Sequence, residues 1–185
     1  MKPNAHFVSL LAGVLLATLA PHGQPAAAEA SAMALTISSS AFGSGAGIPS
    51  DYSCKGADTS PPLEWSGAPA HTASFALIMD DPDAPGGTWV HWVMWNLPPK
   101  EHSLPQGEPK EAQLSDGAHQ GQNSFRRTGY NGPCPPAGST HRYFFRLYAL
   151  DCALSLPASA DRTQLDAAMR GHVLAQAELM GKFHS

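Results

Sequence analysis

Several apolar segments of the chain have the length and the pattern of β-strands. Segment 74–79 is almost continuously apolar and ends abruptly at an acidic turn. Segment 89–97 is apolar on both faces, which is typical of a central strand that is covered on both sides. Segment 142–150 is rich in aromatic residues and partly alternates. With segment 35–42 as a first strand, these patterns predict a mainly β fold.

The C-terminal segment has the spacing of an amphipathic helix instead. Thr163 can cap such a helix, and Asp166 stands three residues further on, as in a capping box. Six apolar residues then fall roughly on one stripe: Leu165, Met169, Val173, Leu179, Met180 and Phe183. The sequence therefore predicts a β-sheet core with a C-terminal α-helix packed on it. A long polar connection, 98–140, separates the last two strand segments and is of a length that is usually functional.

Composition and charge narrow the class of protein. The chain has 185 residues, of which 43 % are apolar and 14 % charged, as expected for one globular domain. Its 17 glycines and 17 prolines favour short strands and ordered loops over a helical bundle. The formal net charge is −4 and no basic run occurs, so nucleic acid and anionic membranes have no electrostatic basis for binding.

The first thirty residues have the layout of a secretory signal peptide. A weakly positive start is followed by an apolar stretch, too short to span a membrane comfortably, and by small residues with candidate cleavage sites after Ala28, Ala30 and Ala32. We therefore expect residues 1–30 to be removed and residues 31–185 to form the mature domain, in the periplasm or secreted.

Export makes the three cysteines informative, because an oxidising compartment permits one disulfide and leaves one thiol. Cys54 and Cys134 both lie in loops rich in glycine and proline, whereas Cys152 ends a strand-like segment. We favour a Cys54–Cys134 bridge, since it would close a long loop between two otherwise mobile segments.

Ionisable residues stand at or near the ends of three apolar strand faces. Asp81 continues the face of segment 74–79 just past its end, and His141 shares a face with Tyr143 at the start of the next-to-last strand. Simple alternation puts His91 on the same face as Val93, Trp95 and Leu97. If these strand ends meet, they form a concave site with apolar walls and a few polar groups, as small-ligand pockets do.

Four motifs occur in a recognisable order along the chain. They are Asp81-Pro82-Asp83-Ala84-Pro85, Trp89-Val90-His91-Trp92, Gly129-Tyr130-Asn131-Gly132-Pro133-Cys134-Pro135-Pro136 and His141-Arg142-Tyr143. This series resembles the signatures of the phosphatidylethanolamine-binding protein family, most closely its bacterial, Raf-kinase-inhibitor-like branch. The resemblance extends from about residue 33 to the C-terminus.

The resemblance implies an antiparallel Greek-key β-sandwich, with the C-terminal α-helix and short peripheral helices, and an anion pocket at one end. Carried over residue by residue, the implied ligand-binding positions are Asp81, Asp83, Trp89, His91, Pro135, His141, Arg142 and Tyr143. We expect no catalytic residue, metal or cofactor, because the sequence has no H-E-x-x-H or G-x-S-x-G motif and its few cysteines lack metal-ligand spacing.

We therefore expect an exported protein that is not an enzyme and that binds phosphate-bearing groups, either a lipid headgroup or a phosphorylated small molecule. Two alternatives stay open. Phe125, Arg126 and Arg127 form a basic patch that could bind a protein target, as in protease or kinase inhibitors. The acidic turn and the two histidines could instead serve a metal- or His/Asp-dependent hydrolase. The sequence leaves a homodimer open as well.

Overall fold

The computed structural model describes Met1 and residues 34–185, and the compact unit that carries the fold runs from Ala32 to Ser185. Apart from Met1, the predicted signal peptide lies outside the described residues. Within the described part of the chain, no helix combines the length and the apolar character that crossing a bilayer requires.

Two antiparallel sheets contain the strands of the described region. The strands are β1 (Thr36–Ser38), β2 (Leu63–Ser66), β3 (Ser74–Asp81), β4 (Trp89–Leu97), β5 (Ser103–Leu104), β6 (His119–Gln120), β7 (Thr140–Leu150) and β8 (Val173–His184). The smaller sheet has the order β1-β2-β5, and the larger has the order β6-β4-β3-β7-β8. A 3-10 helix, Ser50–Tyr52, and one α-helix, α1 (Arg162–Ala168), complete the fold.

The sheets pack face to face as a sandwich around the main core. Leu63 and Trp65 of the smaller sheet are buried in the same cluster as Phe75 and Phe145 of the larger one. After β4 the chain crosses from the larger sheet to the smaller one and then returns, since β5 belongs to the smaller sheet whereas β4 and β6 belong to the larger.

A second core covers the outer face of the larger sheet. It contains Ile78 of β3 and Trp95 of β4, packed with Leu165 and Met169 at α1. Strands β3 and β4 are therefore buried on both faces, which explains why their apolar residues run without interruption. The predicted bounds of β4, 89–97, are those of the structure.

The predicted long C-terminal helix is wrong beyond its first two turns. Helix α1 has only seven residues, and its N-cap is Asp161, whose side chain forms a capping box with Gln164, rather than Thr163. The chain then turns at Gly171, whose φ is 80°, and continues as the twelve-residue strand β8. Strand β8 pairs with β7 along its whole length, so tertiary pairing overrides the helix propensity of its residues.

Other element bounds differ less. The first strand covers only Thr36–Ser38 instead of 35–42, while β3 extends to Asp81 and β7 begins at Thr140. The long connection between β4 and β7 contains the short strands β5 and β6.

Gly121 shows how closely the long connection packs against the segment that leads to α1. A Cβ atom added there would lie 2.1 Å from the carbonyl oxygen of Ala160 and 2.9 Å from Cζ3 of Trp95. We expect Gly121→Ala to lower the free energy of unfolding by about 2 kcal/mol or more, because backbone atoms would have to move. Urea unfolding measures this change.

Gly43→Ala is the matched control, because a Cβ atom at Gly43 meets nothing within 4 Å. We expect it to change stability by less than about 0.5 kcal/mol. Equal stability of the two variants would contradict this close packing at Gly121.

Candidate functional site

A cavity of about 380 Å³ opens at one end of the larger sheet. Strand β3 ends there, and its antiparallel neighbours β4 and β7 begin there. The lining residues are Asp81, Ala84, Pro85, Gly86, Trp89, His91, Phe125, Cys134, Pro135, Pro136 and His141. The three ionisable residues that the sequence placed at strand ends thus line one hollow.

His141 is held by the carboxylate of Asp81. Its Nδ1 lies 2.7 Å from Oδ2 of Asp81, and both residues are buried. The other oxygen, Oδ1, accepts the backbone N–H of Asp83 at 2.8 Å. The carboxylate therefore fixes the imidazole ring and leaves Nε2 as the ring nitrogen that can reach a ligand.

His91 is held in a similar way by a backbone carbonyl. Its Nδ1 donates to the oxygen of Asn131 at 2.7 Å, and only 2 % of the residue is exposed. Burial lowers the pKa of His91 below its usual value. Its ring packs edge-on against Tyr143 and Phe125, with centroid distances of 5.3 Å in both cases.

The alternation that the sequence predicted for His91 is wrong, because β4 contains a bulge. Met79 pairs with Trp92 and Asp80 pairs with Val90, so His91 is an extra residue without a partner on β3. Regular alternation would send His91 to the outer face with Val93; the bulge turns it toward Tyr143 in the core between the sheets.

These contacts determine which ring nitrogen of each histidine carries a hydrogen. The Asn131 carbonyl can only accept, so Nδ1 of His91 carries the hydrogen and Nε2 of the neutral ring is an acceptor. The Asp81 carboxylate imposes the same tautomer on His141. Each imidazole thus becomes a donor toward the cavity only when it gains a second proton. No lysine or arginine is among the residues that line it.

Asp83 and Arg142, two of the predicted ligand-binding residues, are not among the residues that line the cavity. They bind each other instead: Asp83 accepts from Nε and Nη2 of Arg142 at 2.9 and 2.6 Å, and from its backbone N–H at 2.9 Å. The hydrogen bond from the Arg142 side chain holds the pKa of Asp83 at about 2. Because neighbouring residues of a strand face opposite sides, His141 points inward and Arg142 outward. The pair fastens the acidic turn to the start of β7.

Tyr143, also a predicted ligand-binding residue, is fully buried beneath the pocket and is not part of its lining. Its hydroxyl has no hydrogen-bond partner among the described residues. Burial and the nearby Asp81 carboxylate raise its pKa. Tyr143 therefore supports the ring of His91 from below.

Aromatic and proline side chains form the mouth of the pocket. Trp89 is 39 % exposed and packs edge-on against Phe125 at a centroid distance of 5.4 Å. Pro135 and Pro136 form a proline wall of the cavity next to Cys134. The structure joins Cys134 to Cys54 by a disulfide, the pairing that the sequence favoured, and leaves Cys152 as a free thiol.

The loop behind His91 is held by residues that were not among the predicted site residues. Asp58 accepts the backbone N–H of Gly132 at 2.6 Å and the side-chain amide of Asn131 at 3.1 Å. Asn123 donates to Oδ1 of Asn131 at 2.9 Å and to the carbonyl of Gly129 at 2.9 Å. Asn131 belongs to the motif at residues 129–136, whereas no pattern in the sequence marks Asp58 or Asn123.

The structure also bears on the open alternatives. Phe125 packs into the pocket, while Arg126 borders a polar groove of about 480 Å³ and Arg127 borders a different hollow beside Asp58. Phe125 also borders the hollow beside Asp58, whereas Arg126 faces a separate groove. For the metal-dependent alternative, Asp83 is engaged by Arg142. Among the described residues, the group of three ligating side chains with donor atoms within 4.8 Å of one another lies elsewhere.

Known proteins resemble this chain in sequence and in structure. A family model described as phosphatidylethanolamine-binding protein matches residues 38–184. A UPF0098 protein from Methanothermobacter thermautotrophicus is 48 % identical over 149 residues, which cover 80 % of this chain and 98 % of that protein. LppC from Mycobacterium tuberculosis, named as a lipoprotein, is 47 % identical over 150 residues, covering 80 % and 72 %.

Two solved structures share the fold. CT736 from Chlamydia trachomatis is 43 % identical with a TM-score of 0.75, and the match covers 82 % of this chain and 98 % of CT736. YbcL from Escherichia coli, described as a new member of the mammalian PEBP family, is 31 % identical with a TM-score of 0.76 and the same coverage. The matched region includes the strands that form the pocket.

The disulfide anchors the proline wall of the pocket. Replacing both Cys54 and Cys134 by serine should lower the free energy of unfolding by about 2 to 4 kcal/mol, because the bridge closes a loop between residues 80 positions apart. Urea unfolding measures the loss. We also expect the side-chain NMR signals of His91 to shift, since Cys134 and Pro135 border the same cavity.

Cys152→Ser serves as the control, since Cys152 is a free thiol outside the pocket. Unchanged stability and unchanged histidine signals in the double variant would show that the bridge does not support the wall.

Proposed function

Because this chain belongs to the phosphatidylethanolamine-binding protein family, we propose that its cavity binds the phosphate end of a small molecule or of a lipid headgroup. The observation that carries the proposal is the presence of two imidazoles, each fixed through Nδ1, in one open cavity of about 380 Å³. Fixed rings lose little conformational freedom when they bind a ligand, which favours binding by few contacts.

Binding of an anion to this pocket is coupled to proton uptake. With both rings neutral, the cavity offers two acceptors and contains the carboxylate of Asp81, an arrangement that repels a dianion. A second proton on His91 or His141 provides an N–H donor and a positive charge for a phosphate oxygen. Because burial lowers the pKa of His91, that proton is largely absent at neutral pH and enters together with the ligand.

A ligand with an ammonium group fits the mouth of the same cavity. Both carboxylate oxygens of Asp81 already accept hydrogen bonds, so its main task is to orient His141. Trp89 and Phe125 provide aromatic surface at the rim, and aromatic faces attract cations. A ligand that places its phosphate at the imidazoles and its ammonium group at the rim would be a zwitterionic headgroup such as phosphoethanolamine.

We propose that the protein acts outside the cytoplasm. The N-terminal sequence has the layout of a signal peptide, and a relative carries the name of a lipoprotein. A disulfide beside the pocket suits an oxidising compartment.

Affinity should rise as the pH falls. The anion prefers the form with a second proton on the imidazole, so affinity increases toward and below the usual histidine pKa of about 6.5, by up to about tenfold per pH unit for each proton taken up. Calorimetry with the sulfate ester of ethanolamine at several pH values measures how much the protein's own groups contribute to the pH dependence of affinity. The ester itself does not titrate in that range. Phosphoethanolamine, titrated in parallel, shows the added effect of the ligand's own proton.

His91→Ala and His141→Ala should each weaken binding by at least about tenfold, or 1.4 kcal/mol. His102→Ala is the matched control, because His102 is exposed in the β4–β7 connection and does not line the cavity. Circular dichroism confirms that the variants fold. An affinity for the sulfate ester that does not change between pH 5 and 8 would contradict the role of the histidines.

A further inference from the structure

A second group of ligating side chains lies at the opposite end of strand β7 from the pocket. Asp151 and Cys152 follow the last residue of β7, and His172 precedes the first residue of β8. Since His141 stands ten residues earlier on an extended strand, about 30 Å separate this group from the pocket. We propose that Asp151, Cys152 and His172 form a binding site for Zn²⁺ or another thiophilic divalent cation.

The backbone brings the three residues together and holds them. The N–H of Asp151 donates to the carbonyl of His172 at 3.0 Å. This hydrogen bond joins the two ends of the segment that contains α1. The hydroxyl of Ser74 donates to the carbonyl of Cys152 at 2.6 Å and so fixes the start of the turn. The site is therefore built on the paired ends of two strands rather than on a loose loop.

The donor atoms are close enough for one ion. One donor from each residue lies within 4.8 Å of the others, and Nδ1 of His172 lies 2.8 Å from Oδ1 of Asp151. In a tetrahedral zinc site, ligand atoms are about 3.3 to 3.7 Å apart, given metal–ligand distances near 2.0 to 2.3 Å. The present separation of at most 4.8 Å between the donors is close to that spacing. His172 and Asp151 are both exposed, so an ion can enter from solvent.

The kinds of donor select the metal. A thiolate with an imidazole and a carboxylate suits zinc and similar transition metals, whereas magnesium and calcium prefer oxygen ligands alone. Three protein ligands leave a fourth position for water. Binding releases one proton, because the Cys152 thiol must become a thiolate as the sulfur–metal bond forms.

A catalytic cysteine is the competing interpretation of the same three residues. An activated cysteine needs a lowered pKa, which a cationic neighbour usually provides. Here the neighbouring group is the carboxylate of Asp151, within 4.8 Å of the Cys152 sulfur. The carboxylate that disfavours a free thiolate would favour a bound cation, so the cluster fits a metal better than a nucleophile.

The test uses the full chain and Co²⁺, because cobalt reports thiolate ligation by a charge-transfer band in the near ultraviolet. We expect one equivalent of Co²⁺ to produce this band and Zn²⁺ to abolish it by displacement. Zn²⁺ should also slow alkylation of Cys152, which is free in this structure. Cys152→Ser should lose the band entirely, and His172→Ala should lose most of it.

Asp151→Asn, which keeps the shape of the side chain, provides a second variant should His172→Ala fail to fold; we expect it to weaken cobalt binding. His102→Ala and His141→Ala are the controls, and both should retain the band. Absence of the band in the unaltered protein would overturn the proposal. So would a band that persists in both Asp151→Asn and His172→Ala, or a stoichiometric site lost in His141→Ala but kept in Cys152→Ser.

Discussion

The pairing of β3 with β4 on one side and with β7 on the other is the constraint on which the pocket depends. In these antiparallel pairs, β3 ends where both neighbours begin, so Asp81 has to lie beside the first residues of β4 and β7. Both faces of β3 are buried, and a slip of one residue would exchange its two faces. The apolar cores thus fix the register, and the register places the carboxylate of Asp81 next to His141.

The sequence predicted the central part of this arrangement because burial leaves a clear pattern. Strand β4 is apolar on both faces, and its bounds could be read directly. Strand β8 could not be found in that way, because Ala, Gln, Glu, Leu and Met are good helix formers and only pairing with β7 makes this segment extended. The bulge at His91 could not be predicted from the sequence either, since it depends on the register between β3 and β4 and not on the composition of either strand.

The candidate site was predicted in part for similar reasons. Asp81, Trp89, His91, Pro135 and His141 meet in one cavity, as expected from strand ends and from the family resemblance. A motif, however, does not say which of its members face the ligand: Arg142 follows His141 and must point away from it. Asp58 and Asn123 were missed because they act on the backbone and side chain of a loop, so their role appears only when that loop is folded.

Two adjacent acidic residues on β3 differ in the kind of side chain that they bind. Asp80 faces the outer core, is almost fully buried, and is paired with the guanidinium groups of Arg146 and Arg162. Arginine stays protonated at any physiological pH, so both guanidinium groups keep their positive charge beside Asp80. Asp81 faces the opposite side and binds the imidazole of His141, a side chain that can exist in a neutral and a charged form. An arginine in place of His141 would bring a permanent positive charge to the cavity, whereas an imidazole can take part in the proposed uptake of a proton together with an anion.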